Sequence, residues 1–164
     1  MAVQATVPVL PLADSVRVAA PGFANRWKGL GFIGLSLLVI SLDNTVLNLA
    51  IPSLSLDLGA TNSQLQWLID AYTLIFAALL LTAGAISDRF GRKRTLMAGL
   101  AMFAVGSLAA ALSTSTGMLI ATRGFLGIAG ALIMPSTLSI INVTFPPEER
   151  AKAIGIWSGI FGIG

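Results

Sequence analysis

Histidine and cysteine are both absent from the 164 residues of this chain. Without cysteine the chain can form neither a disulfide bond nor a thiolate metal site. Without histidine, any side chain that exchanges protons near neutral pH has to be a carboxylate. No phosphate-binding loop of the G-x-x-x-x-G-K-[ST] type occurs either, so nothing here points to ATP as an energy source. We therefore expect neither a metal ion nor a cofactor.

Charged residues are scarce as well. They make up 10% of the chain, and hydrophobic residues make up 55%, whereas a soluble domain carries about a quarter of charged residues. A formal net charge of +3 could suggest a nucleic-acid partner, but the basic residues are few and stand between long apolar runs. The composition predicts an all-α membrane protein with the lipid bilayer as its solvent and no nucleic-acid partner.

Four apolar stretches are long enough to cross a bilayer. About 30 Å of hydrocarbon takes about 20 residues in a helix, because lipid cannot satisfy free backbone groups. A fifth apolar run begins near residue 153 and is far short of a full span at residue 164. We expect Pro52, the cluster 61–63, the segment 88–94 and Pro146-Pro147 to separate the runs. The predicted helices cover residues 29–51, 65–86, 95–112, 118–143 and, incompletely, 153–164.

The basic residues predict the orientation of these helices. If the spans alternate in direction, all the arginines and lysines near their ends fall on one side of the membrane, which the positive-inside rule makes the cytoplasmic side. Residues 1–28 would then form a cytoplasmic N-terminal tail, and residues 29–164 a partial transmembrane bundle in the cell (inner) membrane. The residues that set this orientation are Arg17, Arg26, Lys28, Arg89, Arg92, Lys93, Arg94, Arg150 and Lys152.

Three ionisable residues remain inside the predicted spans, namely Asp43, Asp70 and Arg123. Charges in hydrocarbon are costly, so each is a functional candidate. At 1.5 Å per residue all three lie roughly 8–12 Å below the outer surface, which allows Arg123 to pair with either carboxylate. Two other interpretations remain open: the pair can serve only to hold helices together, and Asp70 can simply reach the outer interface.

The first predicted helix is polar on two sides. Steps of about 100° per residue place Ser41, Asn44, Thr45 and Asn48 on one stripe and Asp43 on a different face. Lipid disfavours this pattern, so we expect the helix to lie between other helices and a water-filled transport path. The alternative is that the stripe provides hydrogen bonds between helices.

Small residues recur along the fourth helix at Gly124, Gly127 and Ala131, in line with Pro135. Such stripes let helix backbones approach closely, and the proline is expected to add a kink. A second stripe, Gly155, Gly159 and Gly162, predicts another packing surface near the end of the chain.

The turn after the second helix carries a specific motif. Gly84-Ala-Ile-Ser-Asp88-Arg89-Phe-Gly91-Arg92-Lys93-Arg94-Thr-Leu96 resembles the G-x-L-a-D-R-x-G-R-K-x-x-L signature of the major facilitator superfamily. Gly91 allows a tight turn, and Asp88 can cap the following segment. The resemblance implies a loop that gates the cytoplasmic side, and the link before the fifth helix is similar to one that contacts this loop. The implied gating residues are Gly84, Asp88, Arg89, Gly91, Arg92, Glu149 and Arg150.

Three further stretches resemble signatures of the same superfamily. Leu119-x-x-x-Arg123-x-x-Leu126-Gly127 is similar to a helix whose embedded arginine is linked to proton coupling, with Leu126 where the family usually has glutamine. Leu42-Asp43-x-Thr45-Val46-x-Asn48-x-Ala50-x-Pro52 and the run from Gly130 to Ser139 resemble the fourteen-helix drug:proton antiporters. The implied protein is the N-terminal part of a multidrug exporter whose partners are small-molecule substrates, protons and its remaining helices. The implied coupling or substrate residues are Asp43, Arg123, Asp70, Asn44 and Asn48.

The residues leave other functions open. One alternative is an exporter of a single endogenous metabolite or antibiotic, and another is a four-helix membrane interaction protein without transport activity. An enzyme is not expected, because no nucleophile stands with a base or a metal cluster.

Overall fold

A computed structural model describes residues 25–162. Most of the predicted N-terminal tail, including Arg17, lies outside these residues, as do the last two residues of the predicted fifth helix. The described chain forms five α-helices and contains no strand. They are α1 (Arg26–Asp57), α2 (Asn62–Phe90), α3 (Arg92–Ala111), α4 (Thr116–Thr144) and α5 (Pro147–Gly162).

Helices α1 to α4 are each long and apolar enough to cross a membrane, whereas α5 has 16 residues and falls short of the roughly 20 that a span needs. The prediction of an all-α membrane protein with four spans is confirmed, and a shorter fifth helix follows them. The tight links between helices put the start of α1, the α2–α3 turn and the α4–α5 link at one end of the bundle, here called the basic end.

Each helix begins before its predicted span. We expected Pro52 to end the first helix. Instead it lies within α1. A proline removes only one backbone donor, and neighbouring groups can compensate for it in a membrane helix. Asp88 does not cap α3 either, because α2 continues through Asp88 to Phe90.

Local signals explain how α2 begins and ends. At its start Thr61 accepts a hydrogen bond from the Gln64 backbone while the Gln64 side chain accepts one from the Thr61 backbone, a capping box. At its end a single residue, Gly91, separates α2 from α3 and adopts a φ of 98°, a conformation that favours glycine. The α2–α3 turn is therefore as tight as the motif predicted.

Helix α4 lies at the centre and packs along α2 on one side and α3 on the other. Glycines make these contacts close: a Cβ atom on Gly127 would lie 2.6 Å from the Tyr72 backbone oxygen, and one on Gly124 would lie 2.9 Å from Ile75 Cδ1. Ala131 is fully buried, and Pro135 lies within α4. The small-residue stripe of α4 thus packs mainly against α2.

The described residues provide no packing partner for the second small-residue stripe, so its packing stays a prediction. A Cβ atom added to Gly155, Gly159 or Gly162 would meet nothing within 4 Å. Helix α5 turns a different face to α1, where Ile160 approaches Gly34. Helical periodicity locates a row of small residues but does not tell which neighbour, if any, lies against that row.

Helix α1 is attached to the bundle mainly through its first half. Its buried residues run from Leu30 to Ser41, and none follows Ser41. An apolar cluster at the basic end joins α1 to α4 and α5 through Leu37, Ile141 and Ala153, among others. The second half of α1 extends beyond this cluster.

An open groove separates α1 from α3, with α4 as its floor. Near the basic end it forms a cavity of about 630 Å³ that is lined almost entirely by apolar side chains, with Arg26 and Lys93 at its mouth. Nearer the opposite end it forms a second cavity of about 420 Å³, lined by Asp43, Arg123 and mainly aliphatic residues. We call the two together the α1/α3 groove.

Candidate functional site

Arg123 of α4 is the only buried charged residue in the described chain, with 3% of its surface exposed. Its Nη1 atom donates a hydrogen bond to Oδ2 of Asp43 on α1, and the two side chains form an ion pair. The sequence left open which carboxylate would pair with Arg123. The structure brings Asp43 to it.

Three uncharged groups hold the same guanidinium. Nη2 donates to Oδ1 of Asn44 at 3.0 Å, and Nε donates to the backbone oxygen of Leu68 at 3.2 Å. The ring of Tyr72 lies beneath it, with 4.7 Å from Arg123 Cζ to the ring centroid. We call Asn44, the Leu68 carbonyl and Tyr72 the arginine cradle. Together with Asp43 it draws on α1 and α2 to hold a residue of α4.

The polar stripe of α1 is divided between partners. Asn44 faces Arg123, whereas Ser41 donates a hydrogen bond to the backbone oxygen of Phe161 on α5 at 3.3 Å. The Thr45 hydroxyl donates a hydrogen bond to the Ser41 backbone oxygen. Asn48 is exposed and does not contact the Arg123 site. Asp43 and Asn44 start from faces 100° apart, yet both reach Arg123 because its guanidinium presents several donors in one plane.

Asp70 is not part of this arrangement. It lies two residues after Leu68, which turns it toward the other side of α2, and it is only half-buried. Within residues 25–162 it forms no ion pair. The same residues contain no group of three or more carboxylates that could hold a metal ion.

The Asp43 and Arg123 side chains open onto the second cavity of the α1/α3 groove, the one farther from the basic end. The Asp43 side chain keeps 20% of its surface exposed, against 4% for the side chain of Arg123. The arginine is therefore enclosed while the carboxylate is reachable. Chemically, the site places one partly exposed carboxylate beside a buried cation and an aliphatic wall.

Sequence reasoning missed two members of the arginine cradle, Tyr72 and the carbonyl of Leu68. A signal for them existed, because Tyr72 is the only tyrosine of the chain and stands in an apolar span four residues after Leu68. Residues four apart share one helix face. A lone phenol in such a span calls for a polar or cationic partner.

The basic turn between α2 and α3 contains a weak ion pair. Arg92 Nη2 lies 3.6 Å from Oδ1 of Asp88, and both side chains are substantially exposed. Arg89 lies over the ring of its neighbour Phe90, with 5.6 Å to the centroid. Gly84 faces Pro135 of α4 at an ordinary contact distance. Exposed pairs of this kind stabilise little.

Glu149 does not contact this turn, in contrast to what the resemblance implied. It accepts two hydrogen bonds from Arg26, from Nε and Nη2, both at 2.8 Å. Arg150 donates instead to the backbone oxygen of Phe145 at 3.4 Å. The reason is geometric: the first turn of α5 packs beside the start of α1, whereas the basic turn lies across the α1/α3 groove.

Aromatic contacts reinforce this junction. Trp27 meets Phe145 edge to face, with 5.1 Å between ring centroids, and Lys152 lies 5.4 Å above the Trp27 ring. We call these contacts, with the Arg26–Glu149 pair, the basic-end clasp. The clasp ties α1, α4 and α5 together where their ends leave the apolar region.

The clasp can be tested with a matched pair of variants. Glu149→Gln is expected to lower the stability of the full-length protein by about 1 kcal/mol, since a two-pronged pair that is partly buried exceeds an ordinary surface pair. Glu148→Gln makes the same change on an exposed neighbour and should have no effect. Thermal unfolding in detergent measures both. Equal losses in the two variants would mean that net charge, and not the pair, is responsible.

Comparison with known proteins places the chain among transporters. Residues 33–164 match the profile of the Major Facilitator Superfamily. The chain is 40% identical over 144 residues to the tetracenomycin C resistance and export protein of Streptomyces glaucescens. It is 44% identical over 137 residues to a methyl viologen resistance protein of Salmonella typhimurium. It is 42% identical over 141 residues to a multidrug efflux pump of Mycolicibacterium smegmatis.

These alignments take in 87%, 83% and 85% of the chain but only 27% to 28% of each relative. The chain thus spans about a quarter of the length of the curated relatives it matches. Among solved structures it resembles a bacterial homolog of the human lysosomal transporter Spinster, with a TM-score of 0.73 and 24% identity. That likeness covers 83% of this chain and 30% of the other, and at this identity it shows the fold alone.

Proposed function

Since this chain belongs to the Major Facilitator Superfamily, we propose that the full-length protein exports lipophilic, cationic compounds in exchange for protons by alternating access. The family consists of transporters and not of enzymes. The three relatives named above are resistance, export and efflux proteins for drugs, an antibiotic and a toxic compound. Because this chain spans only part of their length, the proposal concerns the full-length protein.

The observation that carries the proposal is the pair of Asp43 with buried Arg123. Burial disfavours a charged carboxylate, whereas an adjacent guanidinium favours it. A conformational change that separates the two groups, or that opens the cavity to water on one side, therefore changes how readily Asp43 binds a proton. Protonation that depends on conformation is what an exchanger needs.

Competition for the negative charge of Asp43 would couple the two fluxes. A lipophilic cation that enters the second cavity of the α1/α3 groove favours the ionised form of Asp43. A proton that binds Asp43 removes the negative charge that attracts the cation. One proton moving inward gains roughly 2.3 kcal/mol per 100 mV of membrane potential, before any pH gradient. Exchange of one proton for one singly charged cation moves no net charge, however, so the pH gradient alone drives it. The membrane potential contributes only where more protons enter than positive charges leave.

The proposed orientation puts the basic end in the cytoplasm of the cell, with the N-terminus on the same side. The arginines and lysines at the start of α1, in the α2–α3 turn and at the start of α5 support it through the positive-inside rule. In this orientation Gly84, Asp88, Arg89 and Arg92 lie where a cytoplasmic gate would be, and the basic-end clasp lies beside it.

A second candidate is an exporter of one endogenous antibiotic or metabolite. One of the relatives is named for a single antibiotic, tetracenomycin C, which supports a narrow substrate range as the alternative. The competition profile of chemically diverse substrates separates a broad exporter from a narrow one. A four-helix interaction protein is less well supported, because the relatives are transporters several times longer than this chain.

Proton exchange can be tested with the full-length protein in liposomes that contain a pH-sensitive dye. Adding methyl viologen or ethidium on one side should drive protons toward the side from which the compound moves. A neutral compound of similar size and protein-free liposomes are the controls. Substrate movement that leaves the dye signal unchanged would refute proton coupling.

A further inference from the structure

Arg123 has one partner that can change charge and three that cannot. Asp43 loses its negative charge when it binds a proton, whereas the Asn44 amide, the Leu68 carbonyl and the face of Tyr72 stay the same. An arginine this deeply buried costs several kcal/mol if it loses its partners. Whether Arg123 keeps its position when Asp43 is protonated therefore depends on the arginine cradle.

We propose that Tyr72 is a positioning residue for the proton step: its ring holds the Arg123 guanidinium in place when Asp43 is neutral. When Asp43 binds the proton, its carboxyl separates from Arg123 of α4, while Arg123 keeps its contacts with Leu68 and Tyr72 of α2. The inference rests on the proposed function, since it concerns how Asp43 takes up the proton.

The position of Tyr72 suits this role because the ring is rigid. It is 7% exposed and stacks on Phe76 with 5.9 Å between centroids and 9° between planes. Two glycines of α4 leave room for Tyr72. A Cβ atom on Gly127 would lie 2.6 Å from the Tyr72 backbone oxygen, and one on Gly130 would lie 2.8 Å from the Tyr72 hydroxyl. The ring thus has little room to move away from Arg123.

A ring beneath a buried guanidinium stabilises the cation more than it would in water, since the competing solvent has been removed. The attraction is stronger when Asp43 is protonated, because the carboxylate then no longer offsets the positive charge that the ring attracts. Without the ring, neutralising Asp43 would leave Arg123 with hydrogen bonds to uncharged groups alone. Tyr72 therefore favours proton uptake by making the uncompensated arginine less costly.

Within residues 25–162, no other ionisable side chain lies beside Asp43 and Arg123. Helix α1 contributes Asp43 and α2 contributes Tyr72, while Asp70 lies on the other side of α2. Helix α3 brings only uncharged residues to the shared cavity, among them Ser107 and Ala110. In the described residues, α5 packs on α1 and on the basic-end half of α4. A change in pH dependence on altering Tyr72 would therefore act through Asp43 and Arg123.

The test compares Tyr72→Phe, which keeps the ring, with Tyr72→Leu, which removes it. In full-length protein in liposomes, the pH at which methyl viologen drives half-maximal proton flux should be retained in Tyr72→Phe. In Tyr72→Leu it should shift to lower pH by about half a unit or more, because proton uptake becomes less favourable. Infrared titration of the carboxylic-acid band that Asp43→Asn removes gives the same midpoint without transport.

Three outcomes would overturn the inference. A Tyr72→Leu protein with reduced flux but an unshifted midpoint would show a merely structural role, and an equal shift in Tyr72→Phe would assign the effect to the hydroxyl. If Tyr72→Leu does not fold, Tyr72→Met fills more of the vacated volume, and an unshifted midpoint there is equally decisive. Absence of proton flux in the unmodified protein would instead refute the proposed function, and this inference with it.

Discussion

Replacement of Asp43 by asparagine is expected to abolish proton-driven export. Asparagine keeps nearly the same shape and can still accept a hydrogen bond from Arg123, but it cannot take up a proton. With no titrating group in the pair, the substrate cannot be exchanged against protons. The measurement is dye efflux driven by an imposed pH gradient in vesicles with the full-length protein, where the residual rate should fall to that of protein-free vesicles.

Asp57→Asn provides the matched control, because Asp57 is an exposed residue at the end of the same helix. It should retain the unmodified rate. Asp70→Asn separates the two membrane carboxylates, and we expect it to retain coupling as well, since Asp70 has no ion pair in the described residues. Coupled efflux that survives in Asp43→Asn but fails in Asp70→Asn would reverse the assignment.

Substitution of Gly127 by alanine is expected to destabilise the bundle. The added Cβ would lie 2.6 Å from the Tyr72 backbone oxygen and 3.3 Å from the Phe76 backbone nitrogen. Backbone atoms cannot move aside as the end of a side chain can, so α2 and α4 would have to separate. Overpacking of this kind costs about 1–3 kcal/mol, which thermal unfolding of the detergent-solubilised protein should reveal.

Gly155→Ala is the control for this change. It makes the same substitution in the middle of a helix, but nothing lies within 4 Å of the added Cβ. Alanine also favours helix over glycine by about 1 kcal/mol, so Gly155→Ala should be neutral or slightly stabilising. If both variants lost stability to the same extent, close approach of α2 to Gly127 would not be the cause.

The number and type of helices followed from the sequence because they depend on local properties. Apolar run length decides whether a segment can span hydrocarbon, and Gly91 lies at a turn that the motif already indicated. Helix ends were less predictable, since α1 continues through Pro52. Whether a helix continues past the hydrocarbon depends on how its backbone groups are satisfied there, and runs of apolar residues carry no information on that point.

The candidate site was predictable only in part. Charges are costly within membrane spans, and this singled out Asp43 and Arg123. To predict that they pair, one must know which helices pack together, because the two residues are 80 positions apart. The contacts of Arg26 with Glu149 span 123 positions and were missed for the same reason. The lone tyrosine indicated that Tyr72 needs a polar or cationic partner, but only the close approach of α2 to Gly127 and Gly130 showed that this partner is Arg123.

The position of the Asp43 contact in the middle of α1 has a mechanical consequence. Beyond Asp43 the helix continues to Asp57 without a buried residue, which is an arm about 21 Å long at 1.5 Å per residue. Rotation of that arm by about 10° around Asp43 would carry its tip about 4 Å sideways. In the proposed exchange, gain or loss of a proton at Asp43 would act at the base of this arm, where a small rotation moves the tip by about the width of a side chain.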